Sequence, residues 1–172
     1  MTDALLTPRL ILRRAQPGDL HDLHAVFSNP AAMRYWSRPE HERIEETQVW
    51  LDDMVSLPDT SDEFVIERAG RVIGKVGAWR LPEIGFILHP DHWRQGLASE
   101  ALTVVVPWLF GRHAVDVLTA EADPRNAASL GLLQRLGFRE THRASRTLLW
   151  RDELCDSVYL ALPRAVWADR PS

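Results

Sequence analysis

Apolar and polar residues alternate over RLILRR, residues 9–14, which predicts a strand. Pro17, Gly18 and Asp19 then form a turn and open a helix, with Asp19 at the positive end of its dipole. Leu20, Leu23 and Phe27 recur at helical spacing, and Asn29-Pro30 ends that helix. A second helix fits residues 44–57, because Ile44, Thr47, Leu51 and Met54 share one face and Pro58 stops it. EFVIERAGRVIGKVGAW, residues 63–79, reads as a hairpin turning at Ala69-Gly70, and PEIGFILHP follows as a third strand. ASEALTVVVPWLF is helical, with Pro107 expected to kink or shorten it. A strand over 114–122 and a short helix over 126–136, ended by Gly137, come next. Segments 138–150 and 156–163 close the chain as a strand pair. The order β-α-α-β-β-β-α-β-α-β-β predicts a mixed α/β fold.

The 172 residues hold one hydrophobic core, so we expect a single domain over 6–167 with flexible termini at 1–5 and 168–172. A net charge of −4 argues against a general nucleic-acid binder. The single cysteine, Cys155, excludes an internal disulfide and cysteine-built metal clusters. No apolar run reaches the roughly 18 residues of a membrane span, and no secretory leader pattern is present, so the expected location is the cytoplasm. His21/His24 and His89/His92 are pairs three apart without a third ligand at an obvious spacing, and no metal is expected.

Charge is unevenly spread. Residues 40–63 carry nine acids and one base, Arg43, while residues 125–151 carry six arginines and one acid, Glu140. Two solvated faces account for this; so does a divided molecule whose basic side meets an anionic cofactor and whose acidic side attracts a cationic partner.

The join between the third strand and its helix, HPDHWRQGLASEA over 89–101, carries Gly96 and small residues at a helix N-terminus. Such a join can be an ordinary turn, or it can present backbone N–H groups to a phosphate. A dinucleotide fingerprint needs three glycines where only Gly96 stands, and a P-loop needs a lysine, whereas the chain's one lysine, Lys75, lies on a strand. What remains is G-x-A-S after Arg94-Gln95, with a second block, DPRNAASLGLLQRLGF, at 123–138.

These two blocks resemble the GNAT superfamily of acyl-CoA-dependent N-acetyltransferases. EIGFILHPDHWRQGLASEA, residues 83–101, is similar to the branch that includes the RimJ/RimL-like ribosomal-protein-alanine acetyltransferases, as are TPRLILRRAQPGDL and DSVYLALPRAVW. The resemblance spans almost the whole chain. It implies the GNAT fold, a central splayed mixed β-sheet flanked by helices. It also implies transfer of the acetyl group of acetyl-CoA to a primary amine by direct attack. An acyl-CoA-binding module with little turnover is the alternative, because many members carry a tyrosine acid where this chain has Leu133.

The resemblance assigns the cofactor to the loop and its strand. Backbone N–H groups of Arg94, Gln95, Gly96, Leu97, Ala98 and Ser99 meet the pyrophosphate, and the N–H of Ile87 or Leu88 meets the thioester oxygen. Asn126 is a helix N-cap after Asp-Pro, and by resemblance also touches the pantetheine arm. Ser129 is a polar first-turn residue, and by resemblance the group that protonates or stabilises the thiolate. Glu83 is a strand-end acid or the base that deprotonates the ammonium. Tyr35 and Trp36 belong to the core or wall the acceptor site, and Trp93 packs against the loop. The expected partner is an amine, cationic if the acidic segment faces it: a peptide N-terminus, a polyamine or an aminoglycoside. No nucleic acid or membrane partner is expected, and the chain is read as a monomer or homodimer.

Overall fold

The computed structural model describes residues 4–57 and 59–171, so Pro58 and the outermost terminal residues 1–3 and 172 fall outside it. Eight strands appear: β1 (Leu5–Leu6), β2 (Ile11–Arg13), β3 (Asp62–Arg68), β4 (Arg71–Arg80), β5 (Glu83–Leu88), β6 (Val117–Ala122), β7 (Arg139–Trp150) and β8 (Glu153–Pro163). The helices are α1 (Leu20–Phe27), α2 (Pro30–Met33), α3 (Ile44–Ser56), α4 (Leu97–Arg112), α5 (Ala127–Leu136) and α6 (Arg164–Ala168). The strands form one sheet in the order β1-β2-β3-β4-β5-β6-β8-β7. Every neighbouring pair is antiparallel except β5 and β6.

The sheet is buried on both faces, and for this reason its central strands read as continuous apolar runs rather than alternations. Val65, Val72 and Ile87 point into one cluster with Leu23, Phe27 and Leu51 of α1 and α3. Their chain neighbours Phe64, Ile66, Ile73 and Leu88 point the other way, onto Leu102, Val105 and Leu109 of α4.

The mixed architecture and the hairpin are as expected. The turn residues Ala69 and Gly70 both have positive φ, 51° and 79°, the geometry that matches strand twist in a two-residue hairpin. Differences arise where propensity is weak. The two-residue β1 and the short helices α2 and α6 are too brief to show a period. α1 ends one residue before the expected Asn29, with Ser28 as its C-cap, and Asn29 instead opens α2, its side chain accepting the N–H groups of Ala31 and Ala32. The last strand begins three residues earlier than expected, at Glu153. Pro107 does not shorten α4, which runs 16 residues through it. Pro107 and Thr103 are both on the exposed side, so the Thr103 carbonyl left without a helical donor faces water.

The β5–β6 junction positions the site. These strands pair at one register position, Glu83 with Thr119, and separate beyond it. The opening is the splay in the sheet. A right-handed crossover through α4 is the usual way to bring two such parallel strands side by side.

Candidate active site

Two cavities meet at the splay. One, of about 840 Å³, runs along β5 to the start of α4 and is lined by Phe86–Leu88, Arg94, Gly96–Ser99, Asn126 and Ser129. The other, of about 550 Å³, lies on the opposite side against α3 and the β7–β8 hairpin. Arg34, Tyr35, Trp36, Ile84, Gly85 and Glu121 line both, so the two spaces share a wall at the seam.

The loop before α4 is built for an anion. Arg94 and Gly96 both sit in the left-handed region, at φ 58° and 73°. Gly96 is the N-cap and, among the described residues, no side chain caps the helix. The first-turn N–H groups of Leu97, Ala98 and Ser99 therefore stay open at the positive end of the helix dipole. The loop is braced from outside. Arg9 donates to the Gln95 carbonyl at 2.8 Å and to Glu100 at 2.6 Å, and Thr7 Oγ1 donates to the same carboxylate at 2.6 Å. The Gln95 side chain accepts from Arg68 at 2.8 Å and donates to the Asp91 carbonyl at 3.2 Å, so it shapes the loop and leaves only its backbone for a ligand. Trp93 likewise serves the loop, its indole N–H donating to the Leu88 carbonyl at 2.9 Å.

At the start of α5, Asn126 is the N-cap and its side-chain oxygen accepts the Ser129 N–H at 3.2 Å. Its amide nitrogen donates to Ser129 Oγ at 3.0 Å. Leu133, one turn on, is 2% exposed and packed in the core. Ile87 and Leu88 differ in direction. The His89 N–H bonds the Ile73 carbonyl at 2.8 Å, and N–H groups alternate sides along a strand, so the Ile87 N–H turns to β4 and the Leu88 N–H to the splay.

The second cavity is acidic and aromatic. Trp36, Trp50, Trp79 and Trp150, four of the chain's seven tryptophans, line it. Asp53, Glu63, Glu83, Glu121, Asp123 and Asp156 supply carboxylates. Burial, followed by the Glu121 carboxylate, raises the pKa of Glu83 above the ordinary value. Tyr35 lies between two guanidinium groups, Arg34 at 5.0 Å and Arg125 at 5.8 Å from its ring. Trp36 packs near Gly85 and stands 5.9 Å from Lys75 Nζ.

Several features here had no sequence signal that we read. Lys75 and Glu63 form a buried ion pair at 2.6 Å, on the cavity wall beside Trp50. In the sequence Lys75 stands out only as the wrong lysine for a P-loop, and the alternation of β4 could have shown that it points away from Val76. Glu121 gave no signal either, because β6 reads as an ordinary apolar strand. The acidic segment 40–63 contributes Asp53 and Glu63, whereas Glu46 accepts from the Arg43 N–H and pairs with Arg38, serving the start of α3. The six-arginine segment is divided too: Arg125 and Arg135 line the first cavity, whereas Arg143 pairs with Glu140 on the surface.

His24 is half-buried and its Nδ1 lies 2.7 Å from Thr47 Oγ1, so it is not a surface histidine. Cys155 is buried on the second cavity's wall, 3.5 Å from an Arg125 nitrogen. No cluster of three or more metal-ligating side chains occurs among the described residues, and none of their helices is long and apolar enough to cross a membrane.

The family model for the acetyltransferase (GNAT) domain matches residues 9–139. A Bacillus subtilis (strain 168) protein named "Uncharacterized N-acetyltransferase YoaA" is 32% identical over 150 residues, covering 81% of this chain and 85% of that protein. The structure of RimL, a ribosomal L7/L12 alpha-N-protein acetyltransferase, superimposes with a TM-score of 0.84 at 18% identity, covering 95% of both chains. Spermidine N-acetyltransferase from Vibrio cholerae, solved with CoA and spermine, gives a TM-score of 0.82 at 19% identity over 95% of this chain and 100% of that one.

Proposed function

The chain belongs to the GNAT acetyltransferase family and transfers the acetyl group of acetyl-CoA to an amine; from that premise we propose how its residues divide the work and what kind of amine they take. Acetyl-CoA supplies the activated acyl group and the thiolate leaving group. The observation that carries the reading is the meeting of the two cavities at the splay, one walled by open backbone N–H groups and the other by carboxylates and indoles.

On the cofactor side, the N–H groups from Arg94 to Ser99 hold the pyrophosphate. Support comes from the left-handed geometry at Arg94 and Gly96 and from the uncapped start of α4. The residues present therefore fit the group the family uses. Leu88, rather than Ile87, supplies the N–H aimed at the acyl oxygen, a donor fixed before the charge develops. Asn126 orients Ser129. Because Ser129 Oγ accepts from the Asn126 amide, its own O–H is left to donate toward the departing sulfur.

On the acceptor side, Glu83 deprotonates the ammonium. A carboxyl raised above its ordinary value is better matched to that task near neutral pH. Tyr35 and Trp36 form the wall between the two substrates. The acceptor is cationic: six carboxylates and four tryptophans suit an ammonium by charge and by cation–π contact. We also take residues 6–167 as one domain, supported by the single continuous sheet, and the cytoplasm as its location, supported by its need for acetyl-CoA.

Incubation with acetyl-CoA and a panel of spermidine, kanamycin and an N-terminal alanyl peptide, following free thiol, tests the reading. Acceptor-dependent thiol release is expected. Tight CoA binding with no release for any amine overturns it in favour of a binding module.

A further inference from the structure

Glu121 enters the scheme above only as one of the cavity's carboxylates, with no position of its own in the reaction. It lies on the wall shared by both cavities, at the seam where the substrates meet. Thr119 pairs in parallel with Glu83, so the residues two further along each strand, Glu121 and Gly85, share that face of the sheet. Gly85 has no side chain, and a Cβ there would come no nearer than 3.5 Å to any neighbouring atom, the Trp36 ring edge. Gly85 thus leaves no more than the width of a Cβ beneath the Trp36 ring edge, and it lines both cavities together with Glu121 and Trp36.

Glu121 is held in place by an arrangement that costs the fold something. Ser157, 3% exposed, donates its hydroxyl to a Glu121 carboxylate oxygen. Ser157 Oγ lies 2.6 Å from Thr147 Oγ1, which in turn reaches the Cys155 carbonyl at 3.2 Å. Thr147 meets Ser157 because the β7–β8 ladder slips between Ala144 and Leu148. Within that bulge Arg146 takes a left-handed φ of 57°, held by its N–H bond to Asp156 at 2.9 Å. Bulges of this kind re-aim side chains, and strained backbone persists where its surroundings enforce it.

We propose that Glu121 is a second acceptor-binding carboxylate, which holds the cationic amine at the seam opposite Glu83 and is itself positioned by Ser157 and Thr147. The inference rests on the base role of Glu83 given above. The acceptor enters as an ammonium and gives one proton to Glu83, keeping the N–H bonding pair on nitrogen. That pair forms the C–N bond while the C–S bond breaks and sulfur leaves with its electrons. The second nitrogen proton ends on sulfur, on the Ser129 side. Glu121 takes no proton; it orients the ammonium, and its negative charge raises the proton affinity of Glu83.

The test compares Glu121→Gln, Ser157→Ala and Glu83→Gln with the wild type. Steady-state kinetics use acetyl-CoA with whichever of spermidine, kanamycin and the alanyl peptide is turned over. A 13C NMR titration of labelled glutamate carboxyls in the CoA complex adds a measurement that needs no acceptor. Removing one charge-assisted contact is expected to raise acceptor KM about tenfold in Glu121→Gln, with acetyl-CoA KM within about twofold. The Glu83 titration is expected to move to lower pH. Ser157→Ala gives a smaller rise in acceptor KM, and Ser157→Thr, which restores the hydroxyl, reverses it. An unchanged acceptor KM together with an unmoved Glu83 titration in Glu121→Gln overturns the proposal. If Glu83→Gln keeps full turnover while Glu121→Gln raises acceptor KM, the base role of Glu83 falls and the amine-holding role of Glu121 stands. Should no amine be turned over, the NMR titration alone decides: a Glu83 midpoint independent of Glu121 overturns the coupling.

Discussion

The Asn126 amide donates to Ser129 Oγ at 3.0 Å while its carbonyl oxygen accepts the Ser129 N–H at 3.2 Å. One side chain thus fixes both the backbone and the hydroxyl of the residue three positions on. Ser129→Ala is expected to lower kcat by about 100-fold, the low end for a positioned proton donor, with acetyl-CoA KM little changed. Asn126→Ala removes an N-cap as well, so it should also cost about 1 kcal/mol of stability, read by chemical denaturation.

Gly96 tests the cofactor loop without touching charge. Its φ of 73° is strained for any L side chain, although a Cβ would meet only an Arg9 nitrogen at 3.6 Å. Gly96→Ala is expected to cost about 1 kcal/mol at the loop and to raise acetyl-CoA KM more than it lowers kcat. An unchanged acetyl-CoA KM would remove the loop from cofactor binding.

The pH–rate profile reports on Glu83. Burial, then Glu121, raises its pKa, and only the ionised carboxylate can take a proton. The acidic limb of kcat/KM should therefore fall at a higher pH than an unperturbed glutamate would give. Glu83→Gln should abolish that limb and lower kcat about 100-fold. A limb that survives the substitution belongs to another group.

His41 sets a pH limit on stability. It is 2% exposed, packed 4.6 Å from the Trp50 ring and 5.5 Å from Phe27, with Nε2 unpartnered. Burial, then the Arg38 charge, pushes its pKa down to about 4, with Glu46 opposing and His24 adding to the shift. The unfolded chain binds a proton near pH 6.5 that the folded chain refuses until about pH 4. Stability from this site is complete above pH 6.5 and is lost as pH falls through that window, by about 3 kcal/mol in all. Denaturant unfolding between pH 7 and 4 should show the slope, and His41→Leu should flatten it.

Asp62 is a structural counterpart whose side chain faces α4, on the other side of the sheet from its neighbour Glu63. It is 1% exposed and accepts from His113 at 2.7 Å, beside Arg14 at 2.5 Å and the Trp108 indole at 3.3 Å. Burial raises its pKa, but His113 and Arg14 outweigh it and the net shift is downward. Asp62→Ala leaves those half-buried partners without their anion and is expected to cost about 3 kcal/mol, with acetyl-CoA KM unchanged in the folded fraction. A loss under 1 kcal/mol by chemical denaturation would contradict this account.

The elements visible in the sequence were those with a long period or strong punctuation. The α3 stripe of Thr47, Leu51 and Met54 and the Ala69-Gly70 turn announce themselves locally. The candidate cofactor loop was legible because its left-handed turn favours a glycine, Gly96, at a fixed offset before the helix. The acceptor wall was legible only in part: resemblance pointed to Tyr35, Trp36 and Glu83, whereas Glu121 and Trp150 come from other segments and reach that cavity only through the sheet order. The β7 bulge was equally invisible: Arg146 is not a residue type that advertises a left-handed turn.

The single register position joining β5 to β6 sets two differently walled cavities side by side. One side of that seam offers mostly main chain, whose hydrogen-bonding groups are the same whatever residue stands there. The other offers side chains from the hairpin and from residues 34–36, each replaceable without breaking a ladder bond. On the division of sides proposed above, substitution can change acceptor preference while the acyl donor stays constant. The fold in this sense separates an inheritable half of its chemistry from a tunable one.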